Sequence, residues 1–263
     1  MTDPPAWPVV ALTGASSGFG AALAEALAAP GRTLHLAGRD AARLAHTAAL
    51  CRAAGAAVRE ARFDVRDAAA CAAWVEAAGR IDLLIANAGI SAGTGGAVEP
   101  AEQARTIFEV NLTGALNTAL PALARMREQG PGEDGVRGRI AVVASVASFI
   151  AAPGAPAYCA SKAALQRWAE ATDATARRAG VRLHALCPGY IRTPMTAAND
   201  FPMPFLMTPE TAARRALAGI ARGQARIAYP LPLYWMARLG GMVPPRWLSR
   251  LPAKATGGPP REA

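Results

Sequence analysis

Short apolar runs alternate with longer, alanine-rich stretches along most of the chain. The runs have the length of buried strands, and they lie at residues 9–13, 33–37, 81–87, 139–145, 181–187 and 225–229. A weaker run at 58–63 is followed by Asp64, and a helix is predicted to begin near Asp67. Strands that alternate with helices are joined by right-handed crossovers into a parallel sheet covered on both faces. The pattern therefore predicts an α/β fold with a doubly wound parallel sheet of about seven strands.

Helix-ending glycines and the chain length define the expected domain. Gly31, Gly55, Gly79 and Gly180 each follow a helical stretch, where a left-handed C-terminal cap is favoured. A chain of 263 residues is within the range of a single α/β domain, and no convincing domain boundary is visible. We expect one domain over residues 1–234, followed by a basic, proline-rich tail over 235–263.

The charge pattern separates this tail from the rest of the chain. The formal net charge is +9, but most arginines are scattered singly over predicted helix surfaces, so nucleic acid is not expected as a partner. Residues 235–263 carry five cations and one acid, interleaved with large apolar side chains. Such a segment is a candidate for peripheral contact with an anionic membrane surface. It is equally compatible with a subunit contact or a lid whose arginines are solvated.

The spacing of cysteines and histidines argues against a metal site. The four cysteines are widely separated and include no Cys-x-x-Cys pair, which indicates neither a zinc site nor a disulfide framework. The three histidines lack ligand spacing. No export signal and no apolar run long enough to span a membrane are visible. These features favour a reducing, cytoplasmic location and no bound metal.

A glycine-rich turn, Thr13-Gly-Ala-Ser-Ser-Gly-Phe-Gly20, directly follows the first predicted strand. Gly14, Gly18 and Gly20 lack Cβ atoms, so they let a pyrophosphate approach backbone N–H groups at a helix N-terminus. The alternative is a strand–helix turn without a ligand, but three glycines exceed what a turn requires. We interpret the segment as a dinucleotide-phosphate site.

The end of the second predicted strand, Ala37-Gly-Arg-Asp40, bears on the choice of dinucleotide. An NAD-specific site places an acid there to bind the ribose 2′-hydroxyl, whereas this chain has Gly38 followed by Arg39. Arg39 can pair with a 2′-phosphate, with help from Arg43 and Ser16. The alternative for Arg39 is a solvated arginine at a helix start. We expect NADP to be preferred over NAD.

The segment Tyr158-Cys-Ala-Ser-Lys162 contains one of only two lysines among 28 basic residues. Residues four apart share a helix face, and a nearby cation favours the ionised form of a phenol. The spacing arises by chance in roughly 3% of shuffled sequences. Ser145 ends the fifth buried strand, at the sheet edge where doubly wound folds bind ligands. Ser148 competes with it and is expected to shape the pocket instead.

Taken in order, these motifs resemble the short-chain dehydrogenase/reductase family, in its compact single-domain subclass with a Rossmann-like sheet. The resemblance runs from about Val9 to Tyr229. It rests on residues 13–20, Asp64-Val65, Asn87-Ala-Gly89, Asn111, Ser145, Tyr158 with Lys162, and Cys187-Pro-Gly189 followed by Thr193. The departures are small: Ala86 replaces an asparagine often found before Asn-Ala-Gly, and the loop before the fifth strand is somewhat long.

The resemblance implies an oxidoreductase that interconverts a carbonyl and an alcohol with a nicotinamide cofactor. It implies Tyr158 as acid/base, Ser145 as the hydrogen-bond partner of the substrate oxygen, and Asn111 as the holder of a water. Lys162 is implied to bind the ribose and to lower the pKa of the phenol. The implied cofactor contacts are Gly14, Ser16, Ser17, Gly18, Phe19, Gly20, Arg39, Asp64, Val65, Asn87, Ala88, Gly89, Tyr158, Lys162, Pro188, Gly189, Ile191 and Thr193. Structural alternatives are an Asp64 that caps the next turn and an Asn111 that mends a helix kink.

The family usually places a mobile lid over the substrate, here at residues 190–210. Its apolar members are Met195, Phe201, Met203, Phe205, Leu206 and Met207, which predict a hydrophobic, adaptable pocket. We expect a hydrophobic ketone, aldehyde or secondary alcohol that contacts Met195 and Phe201 besides Ser145 and Tyr158. The equal alternative is that this segment packs against its own domain or a second subunit.

Family analogy also suggests a homodimer or homotetramer through the helices that bear Asn111 and Tyr158. A dinucleotide-binding regulator or scaffold without turnover is the alternative function. The presence of both Tyr158 and Lys162 disfavours it. An epimerase or dehydratase is disfavoured because only about thirty residues follow the last predicted strand.

Overall fold

All seven predicted strands are present in the computed structural model, which describes residues 7–244, 246–247 and 261–262. They form one parallel sheet and end within two residues of their predicted limits. These strands are β1 Val9–Thr13, β2 Thr33–Gly38, β3 Ala57–Arg62, β4 Leu83–Ala86, β6 Gly138–Val143, β7 Val181–Pro188 and β8 Arg226–Tyr229. Two short strands, β5 Ile90–Ser91 and β9 Arg261–Glu262, pair antiparallel with each other.

Helices cover both faces of the sheet. They are α1 Gly18–Leu27, α2 Ala41–Ala53, α3 Ala68–Ala78, α4 Ala101–Phe108, α5 Gly114–Glu128, α6 Pro156–Ala176, α7 Pro209–Ala221 and α8 Leu231–Gly240. A π-helical turn, Glu109–Thr113, joins α4 to α5, and short 3₁₀ turns lie at Val146–Phe149, Arg177–Ala179 and Thr196–Ala198. Helix α3 begins as predicted, because the Asp67 side chain accepts a hydrogen bond from Ala70 N at 2.9 Å.

The strand order is β3-β2-β1-β4-β6-β7-β8, which confirms the doubly wound prediction. The strand order reverses between β1 and β4, because β2 and β3 follow on one side of β1 and β4 lies on its other side. The loops that leave β1 and β4 therefore diverge to opposite sides. In such sheets ligands bind in the crevice at the carboxyl ends of the strands, at this reversal. The glycine-rich turn after β1 and the Asn-Ala-Gly segment after β4 therefore border the same crevice.

Strand burial explains why the sequence signal was strong for some strands and weak for β3. All six residues of β6 are buried, whereas β3 is an edge strand with no fully buried residue. Apolar side chains fill both faces of the sheet, with Leu12 and Leu34 beneath α1 and α2 on one side. Met126 of α5 and Leu165 of α6 pack on the other side. A central parallel strand needs apolar residues at every position, but an edge strand does not.

The predicted boundary between domain and tail falls inside helix α8. This helix spans the boundary at 234/235, and its Leu233 and Ala237 are buried against the 3₁₀ turn Val146–Phe149. The first part of the predicted tail is thus packed on the domain, while residues 245, 248–260 and 263 lie outside the described part of the chain. No helix within the described ranges combines the length and apolar character needed to cross a membrane.

Buried His184 on β7 makes the stability of the fold depend on pH. Its Nδ1 lies 2.7 Å from the Gln224 carbonyl oxygen, and Nε2 is buried with no partner among the described residues. Burial lowers the pKa of His184 to about 4, against about 6.5 in an unfolded chain. Between these pH values His184 is protonated in the unfolded chain but not in the folded chain. The free energy of unfolding therefore rises with pH over this interval.

We therefore expect neutral His184 to give its full contribution to stability above pH ~6.5. This contribution should be lost as the pH falls towards 4, which lowers the free energy of unfolding by about 3 kcal/mol in total. Urea unfolding between about pH 7 and pH 4.5 measures it. The His184→Asn variant lacks the titrating group, so its free energy of unfolding should fall less over the same interval. Parallel curves for the two proteins would disprove the assignment.

Candidate active site

The turn between β1 and α1 requires glycine for two physical reasons. Gly14 and Gly18 have φ of 67° and 55°, in the left-handed region that side chains with a Cβ rarely adopt. A Cβ at Gly20 would overlap the carbonyl oxygen of Gly14. The turn leads into the N-terminus of α1, where the Ser17 hydroxyl is buried without a partner among the described residues. This is the arrangement that a bound phosphate would complete.

Asn87 holds this turn against β4. Its side-chain amide donates to the carbonyl oxygens of Thr13 and Gly14, both at 3.1 Å. The Thr13 hydroxyl accepts hydrogen bonds from the backbone N–H groups of Asn87 and Ala88 at 3.1 and 3.2 Å. Asn87 was predicted as a cofactor contact, but these two hydrogen bonds show that its amide braces the turn. Thr13 was not predicted as a site residue; a polar residue at the end of a buried strand was its only signal.

A cavity of about 360 Å³ opens beside the turn, at the ends of β2 and β3. It is lined by Thr13, Gly14, Ser16, Ala37, Gly38, Arg39, Asp40, Arg43, Phe63, Asp64, Val65, Ala88, Gly89 and Val110. The structure thus brings together seven predicted cofactor residues, including Arg39, Asp64 and Val65. Phe63 and Val110 were missed because neither differs in sequence from an ordinary core residue.

Aspartate and arginine side chains form ion pairs around this cavity. Asp64 forms a bidentate ion pair with Arg66, and Arg39 Nη1 lies 3.9 Å from Asp64 Oδ2. The hydrogen bond from Arg66 is the largest cause of a lowered pKa at Asp64, so the carboxylate is ionised at neutral pH. Arg43 Nε lies 3.2 Å from Asp40. Arg66 was not among the predicted residues, and only the fold reveals its pairing with Asp64.

A second cavity, of about 100 Å³, lies on the other side of the glycine turn. It is lined by Phe19, Gly20, Asn87, Gly89, Val143, Ala144, Ser145, Tyr158, Lys162, Pro188, Gly189, Ile191, Thr193, Met195 and Thr196. The structure therefore gathers Ser145, Tyr158 and Lys162 from β6 and α6 around one small space. Ser148 does not line it, and its buried hydroxyl has no partner among the described residues.

Tyr158 and Ser145 both line this cavity, and Ser145 lies close enough to influence the phenol. Ser145 caps the following 3₁₀ turn by accepting a hydrogen bond from Ala147 N at 3.1 Å, which orients its hydroxyl. Burial is the largest influence on the phenol and raises the pKa of Tyr158 to about 12, although Ser145 acts in the opposite direction. Part of the Tyr158 surface remains exposed.

Lys162 lies one helical turn after Tyr158, with Nζ 5.9 Å from the centre of the phenol ring. The ammonium donates a hydrogen bond to Val143 O at 2.8 Å and is almost fully buried. Burial lowers the pKa of Lys162 to about 8. Lys162 is not among the causes that shift the Tyr158 pKa, so the lowering by Lys162 that the resemblance implies stays a prediction.

Asn111 is fully buried in the π-helical turn between α4 and α5. Its Oδ1 accepts a hydrogen bond from Ile90 N at 2.8 Å, and its Nδ2 donates to Ile90 O at 3.0 Å and Ser161 Oγ at 3.3 Å. A Cβ at Gly89 would lie about equally close to Asn111 Oδ1 and Lys162 Nζ, at 3.1 and 3.2 Å. Asn111 thus joins β5 to helix α6, beside Lys162.

The predicted lid is anchored at both ends by pairing of Ile191 with Met207. Only Met195 of its six apolar residues lines the small cavity. Phe201 packs edge-on against Tyr190, with ring centres 5.9 Å apart, and Met207 is buried in the core. Phe205 and Leu206 are exposed. Fewer of these side chains than expected therefore line the small cavity, because Phe201 and Met207 pack within the protein and two others are exposed.

Comparison with known proteins agrees with the fold. A family model described as short chain dehydrogenase matches residues 8–201. An uncharacterized oxidoreductase of Myxococcus xanthus is 37% identical over 89% of this chain and 91% of its own length. A 2-(R)-hydroxypropyl-CoM dehydrogenase of Xanthobacter autotrophicus is also 37% identical, over 72% of this chain and 76% of its own length.

Solved structures give the same result. A short-chain dehydrogenase/reductase from Burkholderia phymatum in complex with NAD matches with a TM-score of 0.78 and 28% identity, over 89% of this chain and 92% of that one. A short-chain dehydrogenase from Sphingobium yanoikuyae in complex with NADPH matches with a TM-score of 0.77 and 29% identity, over the same shares. The family model, the relatives and the doubly wound sheet agree, and the chain therefore belongs to the short-chain dehydrogenase/reductase family as one of its oxidoreductases.

Proposed function

We propose that this chain is an NADP(H)-dependent oxidoreductase that interconverts a carbonyl and an alcohol on a hydrophobic substrate, with Tyr158 as acid and base. The observation that carries the proposal is that Ser145, Tyr158 and Lys162 line one small cavity beside the glycine turn, with Lys162 one helical turn after Tyr158. General acid–base catalysis needs such a positioned proton donor near the reacting oxygen.

The residues present fit a nicotinamide dinucleotide. The turn from Gly14 to Gly20 and the unpartnered hydroxyl of Ser17 would hold the pyrophosphate at the N-terminus of α1. Ile191 and Thr193, at the small cavity, would hold the nicotinamide end. When bound, the cofactor supplies or accepts the hydride.

The NADP preference is supported by the larger cavity. Ser16, Arg39 and Arg43 line it together, and a Cβ at Gly38 would lie 3.2 Å from Ser16 Oγ. No acidic side chain occupies the Gly38 position, where an NAD-specific site would bind a ribose 2′-hydroxyl. The two arginines offer charge-assisted hydrogen bonds to a 2′-phosphate.

The protonation state of the Tyr158 phenol determines which proton transfer it can perform. With its pKa raised to about 12, Tyr158 carries its proton at neutral pH, which is the form that carbonyl reduction needs. Tyr158 would donate this proton to the carbonyl oxygen, while the Ser145 hydroxyl donates a hydrogen bond to the same oxygen. In the reverse direction Tyr158 accepts the alcohol proton. The Lys162 ammonium, which donates a hydrogen bond to Val143 O, would also donate to the hydroxyls of the cofactor ribose.

The substrate preference is supported by apolar side chains in the small cavity, namely Phe19, Val143, Ile191 and Met195. NADPH oxidation with a series of methyl ketones of increasing alkyl length tests it. We expect kcat/KM to rise about fourfold for each added methylene until the cavity is filled, since a buried methylene contributes about 0.8 kcal/mol. Turnover confined to small hydroxylated carbonyls would rule out the hydrophobic substrate.

The compartment is part of the same proposal. All four cysteines are buried and free, which supports function in a reducing, cytoplasmic environment.

A further inference from the structure

The cationic excess of this chain is concentrated at its C-terminal end. Between Glu210 and Glu262 the sequence contains nine arginine or lysine residues and no acid. Residues 1–210 contain 19 basic and 18 acidic residues, so the last 53 residues carry +8 of the net charge of +9. The excess therefore starts in helix α7, well before the tail that the sequence pattern indicated.

Helices α7 and α8 enclose a groove of about 930 Å³ that concentrates part of this charge. Arg214, Arg215, Arg222 and Arg226 line it, and its lining contains no carboxylate. Arg226 is paired with Glu170 of α6. Within the described part of the chain, the other three have no carboxylate oxygen at ion-pair distance, and Arg214 donates only to the Thr211 hydroxyl. The groove thus presents three arginines that form no ion pair within the described residues, and the acid that acts on Arg214 is the exposed Glu210 at the start of α7.

An exposed apolar stripe continues from this groove along α8. It consists of Leu231, Trp235, Leu239 and Met242, which are 62%, 56%, 65% and 77% exposed. Spacings of four residues place Leu231, Trp235 and Leu239 on one side of the helix, and Met242 lies just beyond its last residue, Gly240. Because Leu231 also lines the groove, arginines and stripe form one continuous surface, here named the α7–α8 face.

We propose that the α7–α8 face docks on an anionic lipid surface. Helices that lie in a membrane interface combine exposed Trp and Leu side chains with flanking arginines, and anionic headgroups attract the arginines. The stripe contains four large apolar side chains in a row, which require an apolar phase to be covered. The absence of acids from 211 to 261 removes the repulsion that such a surface would otherwise meet.

A second copy of the chain is a poorer occupant of this face. In a twofold interface the same surface meets itself, so three unpaired arginines would face three others with no acid between them. Like charges placed opposite each other weaken an interface. Anionic lipid supplies the opposite charge that the chain itself lacks here.

Co-sedimentation with vesicles tests the proposal on the full chain. Vesicles of phosphatidylcholine alone are compared with vesicles containing about 30% phosphatidylserine, at about 0.1 M salt. One variant combines Arg214→Gln with Arg222→Gln, and another combines Trp235→Gln with Leu239→Gln. The matched control combines Arg105→Gln with Arg127→Gln, two exposed arginines on α4 and α5. Thermal unfolding of every variant checks that the fold is intact.

We expect binding to the anionic vesicles only. The two arginine changes on α7 should weaken it about 30-fold, since each basic residue contributes about fivefold near such a surface. The apolar pair should weaken it at least as much, and the control pair less than about threefold. Absence of binding to anionic vesicles would overturn the proposal, as would equal losses for the control and α7 pairs. So would an oligomer in sedimentation velocity that the Trp235/Leu239 variant dissociates, because a second copy would then cover the stripe.

Discussion

Replacement of Tyr158 by phenylalanine should lower kcat for carbonyl reduction by about 1000-fold, within the range that general acid catalysis contributes. The change removes only the hydroxyl at the small cavity that Ser145 also lines, while the ring and its packing remain. NADPH affinity should stay within about threefold, because the lost group acts on the proton and not on the dinucleotide. Steady-state kinetics together with NADPH fluorescence titration separate these two effects.

Tyr229→Phe is the matched control for this experiment. Tyr229 is buried on β8, and its hydroxyl has no partner among the described residues. Removing that hydroxyl leaves no broken hydrogen bond, so activity should change less than about threefold. If Tyr158→Phe retained more than about a tenth of the wild-type kcat, another group would be the proton donor.

Replacement of Arg39 by aspartate should reverse the cofactor preference. The NADPH dissociation constant should rise on the order of 100-fold, because a charge-assisted bond to the 2′-phosphate is replaced by repulsion. Asp64 lies beside this position, 3.9 Å from the Arg39 guanidinium, and adds to the negative charge there. NADH has no 2′-phosphate, and the new carboxylate can accept a hydrogen bond from its ribose hydroxyl, so its affinity should increase.

Arg59→Asp makes the same charge change at an exposed position on the neighbouring strand β3, away from the cavity lining. It should leave the ratio of NADPH to NADH affinity within about threefold. Equal binding of both nucleotides by the wild type would disprove the preference. An unchanged ratio in Arg39→Asp would show that the 2′-phosphate is bound elsewhere.

The sequence by itself determined the fold class, the strands and the positions of the main site residues. Apolar runs identify buried strands because a central parallel strand is apolar on both faces, and the seven predicted strands all lie in the sheet. Glycines at 14, 18 and 20 identify the turn because its backbone conformation and close approach exclude a Cβ. The i, i+4 spacing of Tyr158 and Lys162 likewise places both on one side of α6.

Only the tertiary structure decided what each of these groups is bonded to. The amide of Asn87 braces the glycine turn, and the Lys162 ammonium donates to Val143 O. In the lid, Met195 lines the small cavity, whereas Phe201 packs against Tyr190. The pKa values of Tyr158 and Lys162 shift mainly through burial, which depends on elements distant in the chain. The local sequence pattern predicts the backbone conformation that a segment prefers. Hydrogen-bond partners, burial and the surrounding charges depend on contacts between segments that are far apart in sequence.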